Sequence, residues 1–145
     1  MRYAVVVTAA CLVSLAGVAF AGGPHADRSG PQSQPGWQLP PDAGEKKNPY
    51  PVDDRVLATG RAVFKDKCAR CHGPGGLGDG ADADPDARER MDLTNPERAA
   101  GNSDGVVFYK VWNGRRRPKM PAFSGEIPEE QAWAVVAYVQ SIRKK

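Results

Sequence analysis

The chain has 145 residues, of which 20 are basic and 17 acidic, and 41% of its residues are hydrophobic. This length allows at most one ordinary domain. The near balance of charge gives no signal for nucleic-acid binding, so we set that class of function aside.

The N-terminal segment predicts export. Arg2 supplies a positively charged n-region, residues 4–20 form an apolar stretch, and Ala19-Phe20-Ala21 has the small-x-small pattern of a cleavage site. Residues 1–21 are therefore predicted to be a signal peptide, which places the mature protein in the periplasm or another extracytoplasmic space. The alternative is an uncleaved membrane anchor, but the apolar stretch is shorter than the ~20 residues that a spanning helix needs. We expect no spanning helix in the mature protein.

Cleavage would leave only two cysteines. It removes Cys11, so that Cys68 and Cys71 remain. In an exported protein such a pair forms a disulfide, a metal site or the covalent attachment point of a cofactor.

Residues 22–52 are predicted to form a Pro-rich extended leader. They contain seven of the 13 prolines and almost no aliphatic periodicity, and segments of this kind act as semi-rigid spacers or wrap over a domain. Trp37 and Tyr50 are candidates to pin the leader. The folding unit is then residues 53–145, which is small enough to need a disulfide, a metal or a buried cofactor besides its side chains.

The first predicted helix begins at Asp53 or Asp54, which suit the N-cap and first turn, and runs into the cysteine pair. Its apolar face includes Gly60 and Phe64 at helical spacing. Glycine inside a helix costs about 1 kcal/mol relative to alanine, so Gly60 is expected to let another element approach closely.

Two more helices follow. One begins at Ser103 or Asp104 and ends at Asn113-Gly114 with a left-handed cap. The last begins near Pro128 and carries a broad apolar face that includes Trp133 and Tyr138. Because strand signals are poor, we predict a small all-α domain of about three to four short helices. Its long loops, residues 73–102 and 114–127, are expected to wrap around a site.

The stretch "CARCH" raises three possibilities for the cysteine pair. A structural zinc site needs four nitrogen or sulfur ligands, and beyond Cys68, Cys71 and His72 the mature chain offers only His25. A thioredoxin-like disulfide needs the pair at the start of a helix in a βαβ setting, whereas here it follows a helix. Cys-x-x-Cys-His is the attachment signature of c-type haem, in which Cys68 and Cys71 form thioethers and His72 binds the iron.

The glycine-rich run "GPGGLGDG" and the acids after it have two other interpretations. A phosphate loop requires a preceding strand and a following helix, which are not predicted here. Asp82, Asp84 and Asp86 have the spacing of a calcium loop, but Ala87 and Leu93 stand where its glycine and bidentate glutamate belong. We interpret the run as a tight irregular loop that turns around the cofactor's edge.

Met120 is the candidate for the sixth iron ligand. It lies between Pro118 and Pro121 in a stiff loop that can direct a thioether at iron. Met91, in a charged segment without prolines, is the competitor, and His25 would require the leader to fold over the haem. The predicted cofactor-binding residues are thus Cys68, Cys71, His72 and Met120, with His72 and Met120 as metal ligands.

Residues 47–143 resemble the class I cytochrome c family, on the strength of "CARCH", "KMPAF", the Gly60 and Phe64 helix, and the terminal helix "EEQAWAVVAYVQSI". The resemblance implies a cytochrome c-like fold around one covalent haem c, in which Gly60 and Phe64 meet Trp133 and Tyr138. The loop pattern CHGPxGxGDG is similar to that of single-haem subunits or partners of bacterial respiratory complexes.

One departure from the family pattern concerns the proximal histidine. Many relatives have a proline directly after Gly-Asp-Gly, in the region whose carbonyl accepts the histidine Nδ1 hydrogen, but this chain has Ala81. Pro74 and Pro85 are alternatives, and the acceptor for His72 stays unassigned.

The predicted function is one-electron transfer without enzymatic chemistry, because two axial ligands leave iron no open position. The partners are redox proteins, and the protein is expected to be a monomer or a complex subunit. Alternatives are a fixed cytochrome subunit of a larger respiratory or dehydrogenase complex, or a haem enzyme with an open sixth position.

A group of basic residues adjoins Met120 and is predicted to steer an acidic partner protein toward the haem. Its members are Arg115, Arg116, Arg117 and Lys119.

Overall fold

The structure is a computed structural model that describes residues 36–143. The predicted signal peptide, His25 and the first part of the leader lie outside these residues. The described elements are six α-helices and a 3-10 turn at Pro85–Ala87: α1 Asp54–Lys67, α2 Ala69–His72, α3 Arg88–Met91, α4 Pro96–Ala100, α5 Asp104–Asn113 and α6 Glu129–Ser141. Between residues 36 and 143 the only β-structure consists of two isolated β-bridges, and no β-strand is present. This confirms the all-α prediction. No helix in that range is long and apolar enough to cross a membrane.

The crossing of α1 and α6 is the centre of the fold. The Asp53 side chain caps α1 by accepting a hydrogen bond of 2.8 Å from the Val56 amide, as the sequence predicts. A Cβ atom at Gly60 would lie only 2.0 Å from the Ala134 carbonyl oxygen and 2.9 Å from the Tyr138 Cβ. The missing side chain therefore lets the two helices touch backbone to backbone, which confirms the expected use of Gly60.

Aromatic side chains fill the core beside this crossing. The Phe64 and Tyr138 rings lie 5.2 Å apart between centroids. Trp133 is fully buried and stacks on Phe108 of α5 at 4.2 Å, so α6 joins α1 on one side and α5 on the other. Full burial of a large apolar side chain stabilises a fold by about 1.5–3 kcal/mol, and these rings therefore hold the three long helices together.

Short helices occupy part of the predicted loop 73–102. Asn95 caps α4 by accepting hydrogen bonds from the Glu97 and Arg98 amides, and Pro96 fits the first helical position. Asp84 likewise caps the 3-10 turn. These helices have four or five residues, too few for an apolar period to show in the sequence.

The second half of the leader packs on the helices. Ala43 is fully buried, and a Cβ atom at Gly105 of α5 would lie 2.2 Å from the Ala43 carbonyl oxygen. The Asn48 side-chain amide donates a 3.2 Å hydrogen bond to the Trp133 carbonyl. We call residues 36–48 the strap, because this part of the leader wraps over α5 and α6. Tyr50 stays 37% exposed.

Candidate functional site

Cys71 and His72 lie on one short helix, α2, and Cys68 is the N-cap residue of that helix. Helix α2 follows α1 directly, and the amides of Cys71 and His72 donate to the Cys68 carbonyl at 3.2 and 3.0 Å. Cys68 also packs against the apolar core, and all three residues are partly buried. The structure thus brings three of the four predicted site residues together within a single helical turn.

The two cysteines are free thiols rather than a disulfide. Burial, together with the smaller effects of the charges of Cys71 and Asp66, raises the pKa of Cys68 to about 12. The Cys71 sulfur lies 3.8 Å from the Asp82 carbonyl oxygen. A redox-active cysteine pair depends on a lowered thiol pKa, so the environment of Cys68 opposes a thioredoxin-like role.

His72 is oriented by a backbone carbonyl. Its Nδ1 lies 2.8 Å from the Met91 carbonyl oxygen, and because that oxygen can only accept, Nδ1 carries the hydrogen and Nε2 keeps its lone pair. Burial lowers the pKa of His72, the Arg115 charge lowers it further, and the hydrogen bond to Met91 opposes both. A neutral imidazole with one oriented nitrogen is the form that binds a metal.

The acceptor for His72 is therefore neither Pro74 nor Pro85. Sequence reasoning missed Met91 in this role, since every residue has a carbonyl and no side-chain pattern marks the one that a histidine will use.

The glycine-rich loop folds back onto α2. The Gly78 amide donates to the His72 carbonyl at 2.8 Å, with Gly78 at a positive φ of 73°. A Cβ atom at Gly80 would lie 2.2 Å from the Arg70 carbonyl oxygen. These glycines thus let the loop pack closely on the helix that carries the cysteines.

The acidic residues after this loop have structural partners. Asp82 forms a 2.6 Å ion pair with Arg70, and the Asp84 side chain accepts a hydrogen bond from the Asp86 amide at 3.0 Å. Within residues 36–143, no group of three or more His, Cys, Asp or Glu side chains is arranged to hold a metal ion. These contacts give the acids local roles that need no calcium.

Met120 lies at the end of a closed loop after α5. The Arg115 amide donates to the Met120 carbonyl and the Met120 amide donates to the Arg115 carbonyl, each at 2.9 Å. The Arg115 Nε also donates to the Pro118 carbonyl at 2.9 Å. We call residues 115–120 the methionine loop. Met120 is half-buried and packs against the same apolar core as Cys68, one of the other three predicted residues.

The basic group beside Met120 divides into two parts. Arg116, Arg117 and Lys119 are exposed, whereas Arg115 is partly buried and its guanidinium carbon lies 4.4 Å from the centroid of the Trp37 ring. The sequence marked Trp37 as a pinning residue but gave no sign of its partner. Arg115 therefore packs within the fold, and the other three basic residues are the ones whose side chains are exposed to solvent.

The donor set fits a covalently attached haem. Two thiols lie two residues apart, the next residue is an imidazole whose Nε2 is left for iron, and a thioether lies on a separate loop over the same core. Thioether anchors with histidine and methionine ligands are the protein groups that hold haem c.

Comparisons with known proteins identify the family to which this chain is similar. A family model described as "Cytochrome C oxidase, cbb3-type, subunit III" matches residues 55–139, more than half of the chain. The cytochrome c6 of Parathermosynechococcus lividus is 35% identical over 83 residues, which are 57% of this chain and 86% of that protein. The cytochrome c6 of Cladophora glomerata is 31% identical over 96 residues, which are 65% of this chain and 99% of that protein.

A solved structure has a similar fold. One chain of the "Kuenenia stuttgartiensis reducing HAO-like protein complex" superposes with a TM-score of 0.55 at 26% identity. The match covers 68% of this chain and 50% of that one, so this chain corresponds to about half of its structural neighbour.

Proposed function

The chain belongs to the cytochrome c family, and we propose that it is an exported one-electron carrier. Cys68 and Cys71 would anchor one haem c, and His72 and Met120 would be its axial ligands. The family membership supports a haem c and a role in electron transfer. Residues 1–21 support export, since they have the pattern of a signal peptide.

The orientation of His72 is the observation that carries this proposal. The hydrogen bond from Nδ1 to the Met91 carbonyl fixes the tautomer in which Nε2 is free to bind iron. This bond also favours Met120 over Met91 as the sixth ligand. The Met91 backbone lies at Nδ1, the nitrogen of the ring that would not bind iron, whereas Met120 is carried by a separate loop.

When bound, haem c supplies a single Fe(III)/Fe(II) couple, and a thioether ligand raises its potential. The protein's contribution is to fix the ligands. The closed methionine loop limits the movement of Met120, and the short helix α2 sets the spacing of Cys68, Cys71 and His72. Two protein ligands leave no open position for a substrate, which favours electron transfer over catalysis at iron.

Visible spectra of protein purified from a host that attaches haem test this proposal. We expect a sharp reduced α-band, and in the ferric protein a weak far-red sulfur-to-iron band. Met120→Ala should remove the far-red band and keep the α-band, whereas Met91→Leu, the matched control, should keep both. Absence of the α-band would contradict haem attachment. Ready binding of cyanide or carbon monoxide by the unaltered protein would instead favour the enzyme alternative with an open sixth position.

Docking of an acidic redox partner is the second part of the proposal. The exposed cations of the methionine loop are Arg116, Arg117 and Lys119, and charge complementarity of this kind mainly raises association rates. We expect Arg116→Glu with Arg117→Glu to slow electron transfer with a small acidic redox protein about tenfold at low salt. Arg55→Glu with Arg61→Glu, two exposed changes on α1 that alter the net charge by the same amount, is the control. Equal effects of both changes would show that only net charge matters.

A fixed subunit of a larger complex is the second candidate function. It is favoured by the family description, which names an oxidase subunit, and by the structural neighbour, which is a chain of a protein complex. Copurification of a tagged full-length chain with other subunits from its native membrane would support this candidate over a free carrier.

A further inference from the structure

The first residues of the strap lie against the methionine loop. The Trp37 ring lies 4.4 Å from the Arg115 guanidinium carbon and 5.2 Å from the Lys110 ammonium nitrogen. Both distances are within the range of cation–π attraction. At the neighbouring position, a Cβ atom at Gly36 would lie 3.0 Å from the Arg117 carbonyl oxygen. The start of the strap therefore contacts the methionine loop through both a side chain and the backbone.

Arg115 connects this contact to Met120. Its backbone makes both hydrogen bonds that close the loop onto Met120, and its side chain donates to the Pro118 carbonyl inside the loop. A ring that lies over the guanidinium limits the rotamers of Arg115. Movement of Arg115 would therefore loosen the loop, because both hydrogen bonds that close it on Met120 come from this residue.

The rest of the strap fixes where Trp37 lies. Ala43 is fully buried against Gly105, and Lys46 directs its ammonium nitrogen over the Phe108 ring at 4.6 Å and the Trp133 ring at 5.6 Å. A segment anchored in this way to the helical core presents Trp37 from a defined position.

We propose that Trp37 is a positioning residue for Met120, acting through Arg115. The strap holds the methionine loop in the arrangement that presents the thioether, so a residue of the leader controls how firmly the sixth ligand is kept. This inference rests on the proposed function, since it takes Met120 as the iron ligand. It assigns the leader a role in the proposed redox site besides that of a spacer.

The test compares Trp37→Ala with the unaltered full-length ferric protein loaded with haem. Imidazole serves as the probe, because it binds iron only when the methionine has left. We expect Trp37→Ala to raise the rate and the affinity of imidazole binding about threefold to tenfold, the factor that one cation–π contact of ordinary strength represents. The far-red band should also be lost at a lower temperature. Trp37→Phe, which keeps a ring face, should restore most of both properties.

Tyr50→Ala is the matched control. Tyr50 is an aromatic residue of the same leader, outside the strap and 37% exposed, and its removal should leave imidazole binding and the far-red band unchanged. If Trp37→Ala does not retain haem, Trp37→Leu replaces it, because leucine keeps apolar bulk without a π face.

The possible failures are distinguishable. If the unaltered protein shows the far-red band and neither Trp37→Ala nor Trp37→Leu changes imidazole binding, the role of Trp37 is overturned and the proposed ligation stands. If the unaltered protein has no far-red band, Met120 is not the ligand, and both proposals are overturned.

Discussion

Two buried helical glycines make nearly the same contact in two different settings. A Cβ atom at Gly60 of α1 would lie 2.0 Å from the Ala134 carbonyl oxygen, and one at Gly105 of α5 would lie 2.2 Å from the Ala43 carbonyl oxygen. Both glycines thus admit a neighbouring backbone closer than any side chain would allow. The neighbour of Gly60 is the central helix α6, whereas the neighbour of Gly105 is the irregular strap.

The difference in neighbours decides what each contact controls. Helix α6 cannot move away from Gly60 without separating Phe64 from Tyr138 and opening the core. We expect the strap to be able to move away from Gly105 while the three long helices keep their packing, because the contacts of Phe64 with Tyr138 and of Trp133 with Phe108 do not involve it. The crossing of α1 and α6 therefore sets global stability, and the strap sets local order near the methionine loop, which carries the proposed ligand Met120.

The largest effect is expected from Gly60→Ala. Alanine is the better helix former by about 1 kcal/mol, but its methyl group would overlap the α6 backbone, which no rotamer change can relieve. We expect a net loss of about 3 kcal/mol in the free energy of unfolding, measured by denaturant titration with circular dichroism.

Gly125→Ala is the control for this prediction. A Cβ atom at Gly125 meets nothing within 4 Å, so the free energy of unfolding should change by less than about 0.5 kcal/mol. If Gly60→Ala were equally neutral, α1 and α6 would not be in backbone contact at this residue.

Gly105→Ala should have a smaller and more local effect. The new methyl group would displace the strap at Ala43 and Lys46, whose Cβ lies 2.6 Å from the added atom. We expect a loss of about 1–2 kcal/mol. In hydrogen exchange, amides of the strap should lose protection while those of α1 and α6 keep it. Equal loss of protection in α1 would contradict the separation of strap and core.

The helical core could be predicted from the sequence because its signals are local and repeated. Asp53 and Gly114 mark helix ends through their own side-chain and backbone preferences, and Gly60 and Phe64 recur at helical spacing. Their partners on α6 followed from a family resemblance. Gly60 and Phe64 do meet Tyr138, while Trp133 stacks on Phe108 of α5.

The strap and the acceptor for His72 could not be predicted in this way. The Met91 carbonyl is a backbone group that any residue would supply, and only the path of the chain brings it to Nδ1. The pairing of Trp37 with Arg115 joins two irregular segments far apart in sequence. Neither segment has a hydrophobic periodicity. The sequence therefore suggests that Trp37 packs on the domain, but it does not predict which residue Trp37 contacts.

Asp53→Ala tests how much the N-cap of α1 contributes to stability. The Asp53 carboxylate accepts from the Val56 amide and lies at the positive end of α1. We expect a loss of about 1 kcal/mol in the free energy of unfolding. Asp53→Asn should recover most of it, since asparagine also caps helices. Failure of asparagine to recover stability would mean that the negative charge, rather than the hydrogen bond, is what matters.

Lys110→Met tests the charge that lies under the start of the strap. Burial, together with the smaller effects of the charges of Arg115, Arg143 and Arg98, lowers the pKa of Lys110 from 10.5 to about 8. Between these two values the unfolded chain binds more protons than the folded one, so stability should rise with pH from about 8 to about 10. This rise should be smaller in Lys110→Met than in the unaltered protein.

The expected difference is below about 1 kcal/mol, because partial exposure of the Lys110 side chain allows solvent to screen it. Lys65→Met, an exposed change on α1, controls for the loss of one positive charge. Denaturant titrations of the three proteins at pH 7 and pH 10 give the comparison. An unchanged pH slope in Lys110→Met would show that Lys110 keeps its charge in the folded protein, and that the start of the strap does not exclude water from it.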